Sequence, residues 1–217
     1  MKLIRFLFLL FPVQFFAQTI SFVPVFNGER ISLSSRIESI GDWIEFDDCR
    51  FYISHLVTYS SGKVWKDDEK AHLIDLEENS SLILTPLSVK IDSISFLIGI
   101  DSTTNVSGIL DGDLDPINGM YWAWNSWYIN FKLQGKSSKS SAVDKSFEFN
   151  LGGYLSPFQT VQSVTLPVKK AQETIEIEID LSRFVEQVDL SKMNSIMIPG
   201  KDAVHLSEFL PLIFQVK

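Results

Sequence analysis

Thr174-Ile175-Glu176-Ile177-Glu178-Ile179-Asp180 decides the fold class, because isoleucine and carboxylate alternate there without a break. Successive side chains of a strand point to opposite faces, so a period of two gives a ribbon with one apolar and one acidic face. The same rhythm recurs upstream. Residues 19–26 are rich in β-branched and aromatic types and stop at the turn pair Asn27-Gly28. Segments 43–46, 50–57, 91–100, 128–133, 147–151 and 161–166 read as further strands, 82–84 as a short one ended by Pro86, and 210–216 as the closing one. Segment 135–145, rich in Ser and Lys, reads as a hairpin loop. Helical signals are confined to two short turns, 180–186 with Asp180 or Ser182 at its N-cap, and 202–210. Many short strands separated by turn residues predict an all-β fold: an antiparallel β-sandwich with one or two short helical turns.

The chain has 217 residues, with no internal repeat and no shift of composition. One domain over 18–217 is the economical division. Seventeen Phe, five Trp and five Tyr supply a sizeable core, and 21% charged residues with this aromatic content exclude a disordered chain. The formal charge of −8 offers phosphate backbones no counter-charge, so nucleic acid is excluded as a partner. Cys49 is the single cysteine. No intramolecular disulfide can form, and a thiol in an apolar strand reads as a small buried hydrophobe, with a reactive or ligating thiol as the alternative.

The first residues read as an address. Lys2 and Arg5 precede an apolar run over 6–16 that closes at Ala17-Gln18. That order of charged, apolar and small residues predicts a secretory signal peptide over 1–17, cleaved near Ala17; a buried N-terminal helix is the alternative. The run is far shorter than the ~20 residues a bilayer needs, and no later stretch reaches that length, so no membrane span is expected. A periplasmic or extracellular location follows.

Catalytic motifs are missing from the sequence. There is no Gly-x-Ser-x-Gly elbow, no phosphate-binding glycine loop and no His-Glu-x-x-His pair. Asp47-Asp48 and Glu77-Glu78 are adjacent pairs whose members face opposite ways on a strand, so neither forms a carboxylate dyad. An enzyme is not expected. Asp111, Asp113 and Asp115 have the spacing of the first calcium-loop ligands, but the sixth and twelfth places hold Pro116 and Trp122, which excludes an EF-hand. Solvated loop acids or a looser calcium site with Asp101 remain. The histidines are His55, His72 and His205. His55 and His72 would meet if their strands pair, and Met120 would add a thioether that favours Cu(I). Structural, hydrogen-bonded histidines are the alternative.

The least ordinary stretch runs from Asp111 through Gly119-Met120-Tyr121-Trp122-Ala123-Trp124 to Trp127-Tyr128. A strand places Trp122 and Trp124 on one face. That is a core-facing aromatic cluster beside Tyr121 or Tyr128, or else an oxidisable set beside a redox metal. Together with Arg50-Phe51-Tyr52-Ile53-Ser54, Ala71-His72-Leu73-Ile74-Asp75, Leu97-Ile98-Gly99-Ile100-Asp101 and Phe149-Asn150-Leu151-Gly152-Gly153, this block resembles the MbnP-like copper-binding domain of secreted bacterial proteins. The pieces follow the family's order over the whole chain after the leader.

The resemblance implies a monomeric β-rich protein that binds copper outside the cytoplasm through two imidazoles, near a tryptophan oxidised to kynurenine. It implies a di-haem peroxidase-type protein as partner, and a copper-handling role makes a copper transporter the other candidate. One ligand segment matches His72, and the other matches a stretch where this chain has Asn150. Lys70 stands where the modified tryptophan is expected, and Trp127 where relatives commonly have glycine. A neutral amide is a poor copper ligand, so Asn150 marks a degenerate position. Trp122 and Trp124 are therefore expected to stay unmodified. Two functions follow: an exported copper-binding or copper-handling protein with His72 as the retained ligand, or a metal-free interaction module on the same scaffold.

Overall fold

The computed structural model describes residues 18–85, 90–169 and 172–217. The leader assigned to 1–17 lies outside them, as does Pro86. In chain order the elements are β1 (Thr19–Phe26), β2 (Glu29–Arg30), β3 (Arg36–Ser39), β4 (Asp42–Ser60), β5 (Lys63–Lys66), β6 (His72–Asp75), β7 (Ile83–Leu84) and β8 (Ser93–Ile98). After α1 (Ser102–Val106) come β9 (Tyr121–Trp122), β10 (Trp127–Ser137), β11 (Ser146–Gly152), β12 (Gln162–Pro167) and β13 (Thr174–Asp180). Then follow α2 (Leu181–Val185), β14 (Ser195–Ile196), α3 (Lys201–Ser207) and β15 (Phe214–Val216).

The fold is an all-β sandwich of two sheets. One has the order β15-β13-β1-β2, with β7 on β1. The alternation in β13 does what the sequence predicts: Ile175, Ile177 and Ile179 are fully buried, while Glu176 and Glu178 pair outward with Arg30 and Lys217. Two pairings depart from the antiparallel expectation. β1 with β13 and β11 with β14 run parallel. A hairpin turn joins only antiparallel neighbours, and β1 and β13 are separated by almost the whole domain.

The second sheet has the order β12-β8-β4-β10-β11-β14, and its spine is β4. β3, β6 and β5 line one edge of β4 in succession, while β10 and then β8 line the other. Two β-bulges interrupt the spine. Asp47 is the extra residue between Phe46 and Asp48, which oppose the adjacent Gly135 and Gln134. His55 falls where the register with β8 shifts, at φ 51°.

Phenylalanine rings from both sheets meet edge-on in the core, with Phe51 5.5 Å from Phe214 and Phe22 6.5 Å from Phe96. A second, smaller cluster sits on the outer face of β4, under segment 101–127: Tyr52, Met120, Trp122, Tyr128 and their aliphatic neighbours. Where β8 and β10 part, Asn130 ties them. Its Oδ1 accepts from the Ile100 amide at 2.9 Å and its Nδ2 donates to Thr160 Oγ1 at 2.8 Å. Among the described residues no helix is long and apolar enough to cross a membrane.

Candidate functional site

His72 opens β6 directly opposite Ile53 of β4, so it lies on the core-facing side at the edge of the sheet. Its Nε2 is bonded to Asp67 Oδ2, from the connection that leaves β5. Asp67 is itself fixed, since its amide donates to the Leu56 carbonyl at 2.9 Å. The imidazole is half-buried, and with 68–71 and 110–114 it lines an open cleft of about 600 Å³. Asp113 faces the same cleft with its carboxylate already engaged, accepting from the Leu73 amide at 2.9 Å.

His55 takes a different course. The bulge turns it outward, where its side chain is 58% exposed and its Nε2 lies 3.0 Å from Asp101 Oδ2. Asp101 also caps α1, accepting from the Thr104 amide at 3.0 Å and the Thr104 hydroxyl at 2.9 Å. Partial burial pulls the Asp101 carboxyl upward, but the donors from Thr104 and His55 outweigh it and hold the group below its ordinary range. The strands of the two histidines do pair, yet the imidazoles do not meet. His72 sits on the β6 edge of β4, and Asp101 follows β8 on the opposite edge. His205 lies on α3 against Phe209, in neither place.

Met120 is fully buried in the aromatic cluster, sealed among Tyr52, Tyr128 and Ile129. The hydroxyls of that cluster are satisfied internally. Tyr52 donates to the Asp113 carbonyl at 3.1 Å and Tyr128 to the Leu114 carbonyl at 3.0 Å. Burial, then Tyr128 and Asp113, push the Tyr52 phenol well up, so it stays a donor.

The two tryptophans separate. Trp122 is 6% exposed and belongs to the cluster, as expected, but Trp124 is 65% exposed. β9 ends at Trp122, and a turn through Ser126 at φ 57° replaces the strand that would have put both indoles on one face. Their rings still touch, 5.8 Å apart. Trp127 packs on Tyr154 at 5.1 Å.

Asn150 is 4% exposed on the outer face of β11. Its Nδ2 donates to Glu148 Oε1 at 3.1 Å and stands 3.1 Å from Met197 Sδ, while its buried Oδ1 has no partner among the described residues. The register runs Asn150 to Lys132 to Arg50 to Asp75, all on one face, and His72 belongs to the other. Three strand spacings, ~14 Å, also lie between β6 and β11. The row carries its own ion pairs, with Lys132 Nζ 2.9 Å from Asp48 and Arg50 Nε 2.8 Å from Asp75. The residues present therefore do not fit a two-imidazole copper centre. Lys70 is exposed at the cleft. Among the described residues no three His, Cys, Asp or Glu side chains are grouped to hold a metal ion.

Asp67 and Met197, the partners of His72 and Asn150, escaped sequence reasoning, and Asp101 entered it as a loop acid and not as the partner of His55. Asp67 precedes His72 by only five residues, which is the one local signal for it.

The chain is thus an all-β sandwich of two sheets with an aromatic lobe laid over its long central strand. A family model described as MbnP matches residues 16–198, and the chain belongs to the MbnP family. The solved structure of MbnP from Methylosinus trichosporium is similar in fold, with a TM-score of 0.62 over 85% of this chain and 82% of that one, at 11% identity. No curated protein matches the sequence.

Proposed function

We propose that this chain is an exported member of the MbnP family that handles copper as cargo through one imidazole, His72, instead of two. The observation that carries the reading is the bond between His72 Nε2 and Asp67. A carboxylate on one ring nitrogen fixes the ring and raises the basicity of the other, the arrangement that metal-binding histidines use. Nδ1 has no hydrogen bond among the described residues, and the cleft leaves the ring within reach of solvent. Copper would therefore be held weakly and given up readily, which suits transfer to a copper transporter or a di-haem peroxidase-type partner. Titration of the chain starting at Gln18 with Cu(I) and Cu(II) tests this. Micromolar binding that disappears in His72→Ala supports it; the same titration curve for the two proteins, or no binding in either, removes it.

A second reading is favoured by Asn150 and Trp124. The amide at the degenerate position is built into a bonded row, and an exposed indole stands at the rim of the aromatic lobe. A metal-free interaction module predicts a Tm that does not move with added copper, since a ligand bound only by the native state must raise stability.

A further inference from the structure

At the end of the sandwich remote from His72 the two sheets part. Ile44 lies nine residues along β4 from the partner of His72, ~30 Å of strand. Ile44 and Leu190 make a buried floor there. Phe26 from β1, Ile37 from β3, and Val185 and Val188 around the end of α2 make the walls of a cleft of about 420 Å³. All four wall residues are only half-buried, so the apolar core is left open on a concave surface. Clefts of this size, mostly apolar with a few placed polar groups, are the usual form of small-molecule sites.

The lip carries the sign. Asp42 and Lys139 neutralise one another there at 3.2 Å. Glu186, at the C-cap of α2, is exposed on the lip and has no ion pair among the described residues. One uncompensated carboxylate over an apolar cleft, on a chain of charge −8, selects a hydrophobic cation and disfavours an anion of the same shape.

We propose that this cleft binds a small hydrophobic amine, its apolar part between the sheets and its ammonium group against Glu186. The site is independent of His72 and of any copper chemistry.

Calorimetric titration of the chain from Gln18 with octylammonium chloride, octanol and octanoate, each below its micelle concentration, tests it. Saturable one-to-one binding of octylammonium is expected, about tenfold tighter than octanoate. Glu186→Lys, a substitution on an exposed residue, should invert that preference, and Val188→Trp should fill the cleft and abolish binding of all three. Circular dichroism of each variant confirms folding, and should Val188→Trp misfold, Glu186→Lys decides alone. Octanoate binding as tightly as octylammonium, no saturation with any of the three, or an unchanged preference in Glu186→Lys overturns the proposal.

Discussion

The six-membered ring of Trp122 lies against Gly152 so closely that a Cβ there would stand 2.8 Å from the indole and 2.7 Å from the Tyr128 carbonyl. The contact presses the aromatic lobe onto the end of β11. Gly152→Ala must move either the indole or the backbone of β10, and overpacking of this kind costs ~1–3 kcal/mol. Chemical denaturation of the variant should show that loss. A stability equal to the parent's would mean that the lobe is not held by this contact.

Trp122 and Trp124 should respond very differently to truncation, although they are two residues apart and in ring contact. Removing the buried indole leaves a cavity, and Trp122→Ala should cost ~3–5 kcal/mol. Trp124 gives most of its surface to water, so Trp124→Ala should stay within ~0.5 kcal/mol of the parent. Intact-mass analysis should find neither indole oxidised.

Much of the sandwich was legible because single strands keep one phase of alternation. β1, β11, β12 and β13 fall within a residue or two of their predicted bounds, and Asp180 caps α2 as its side chain type suggests. β4 was read as two strands for a physical reason. The buried positions run Ile44, Phe46 and then Cys49, Phe51, Ile53, and the phase slips at the bulged Asp47. A pattern of period two cannot register an inserted residue except as a break. The helix α1 went unseen because five residues of Ser, Thr, Asn and Val carry no helical period. The site was less legible still. His55 meets Asp101 only because a bulge turns it outward, and the partners are 46 residues apart. Trp124 was misplaced for a related reason, a turn standing where strand alternation was assumed.

Cys49 should behave as part of the core and not as a reagent. It is fully buried, and burial, then the neighbouring Asp48 and Asp75, raise its pKa well above the ordinary thiol value. The thiolate is the reactive form, so both access and charge state protect it. Iodoacetamide at mildly alkaline pH should leave the folded protein unlabelled and label it fully in denaturant. Labelling of the native protein at the rate of a free thiol would contradict the burial of β4.

Asp101 connects the bulge of β4 to the cap of α1, and the pair should show itself in acid. Its carboxyl is held below the ordinary 3.8 in the folded state, with desolvation opposing and the donors from Thr104 and His55 prevailing. A depressed folded pKa means that the ionised form stabilises the fold. That contribution is fully present above the unfolded value and is lost as pH falls through the folded one. Asp101→Ala removes the cap as well as the charge and should cost ~1 kcal/mol near neutrality. Asp101→Asn keeps a capping oxygen for the Thr104 amide but has no charge to lose. The stability gap between the parent and Asp101→Asn should therefore be present in full at about pH 5 and close steadily below the unfolded carboxyl value of ~3.9. Urea unfolding of both proteins across that range measures it. A gap that stays constant into strong acid would show that the carboxylate charge at Asp101 contributes nothing to the junction of β4, β8 and α1.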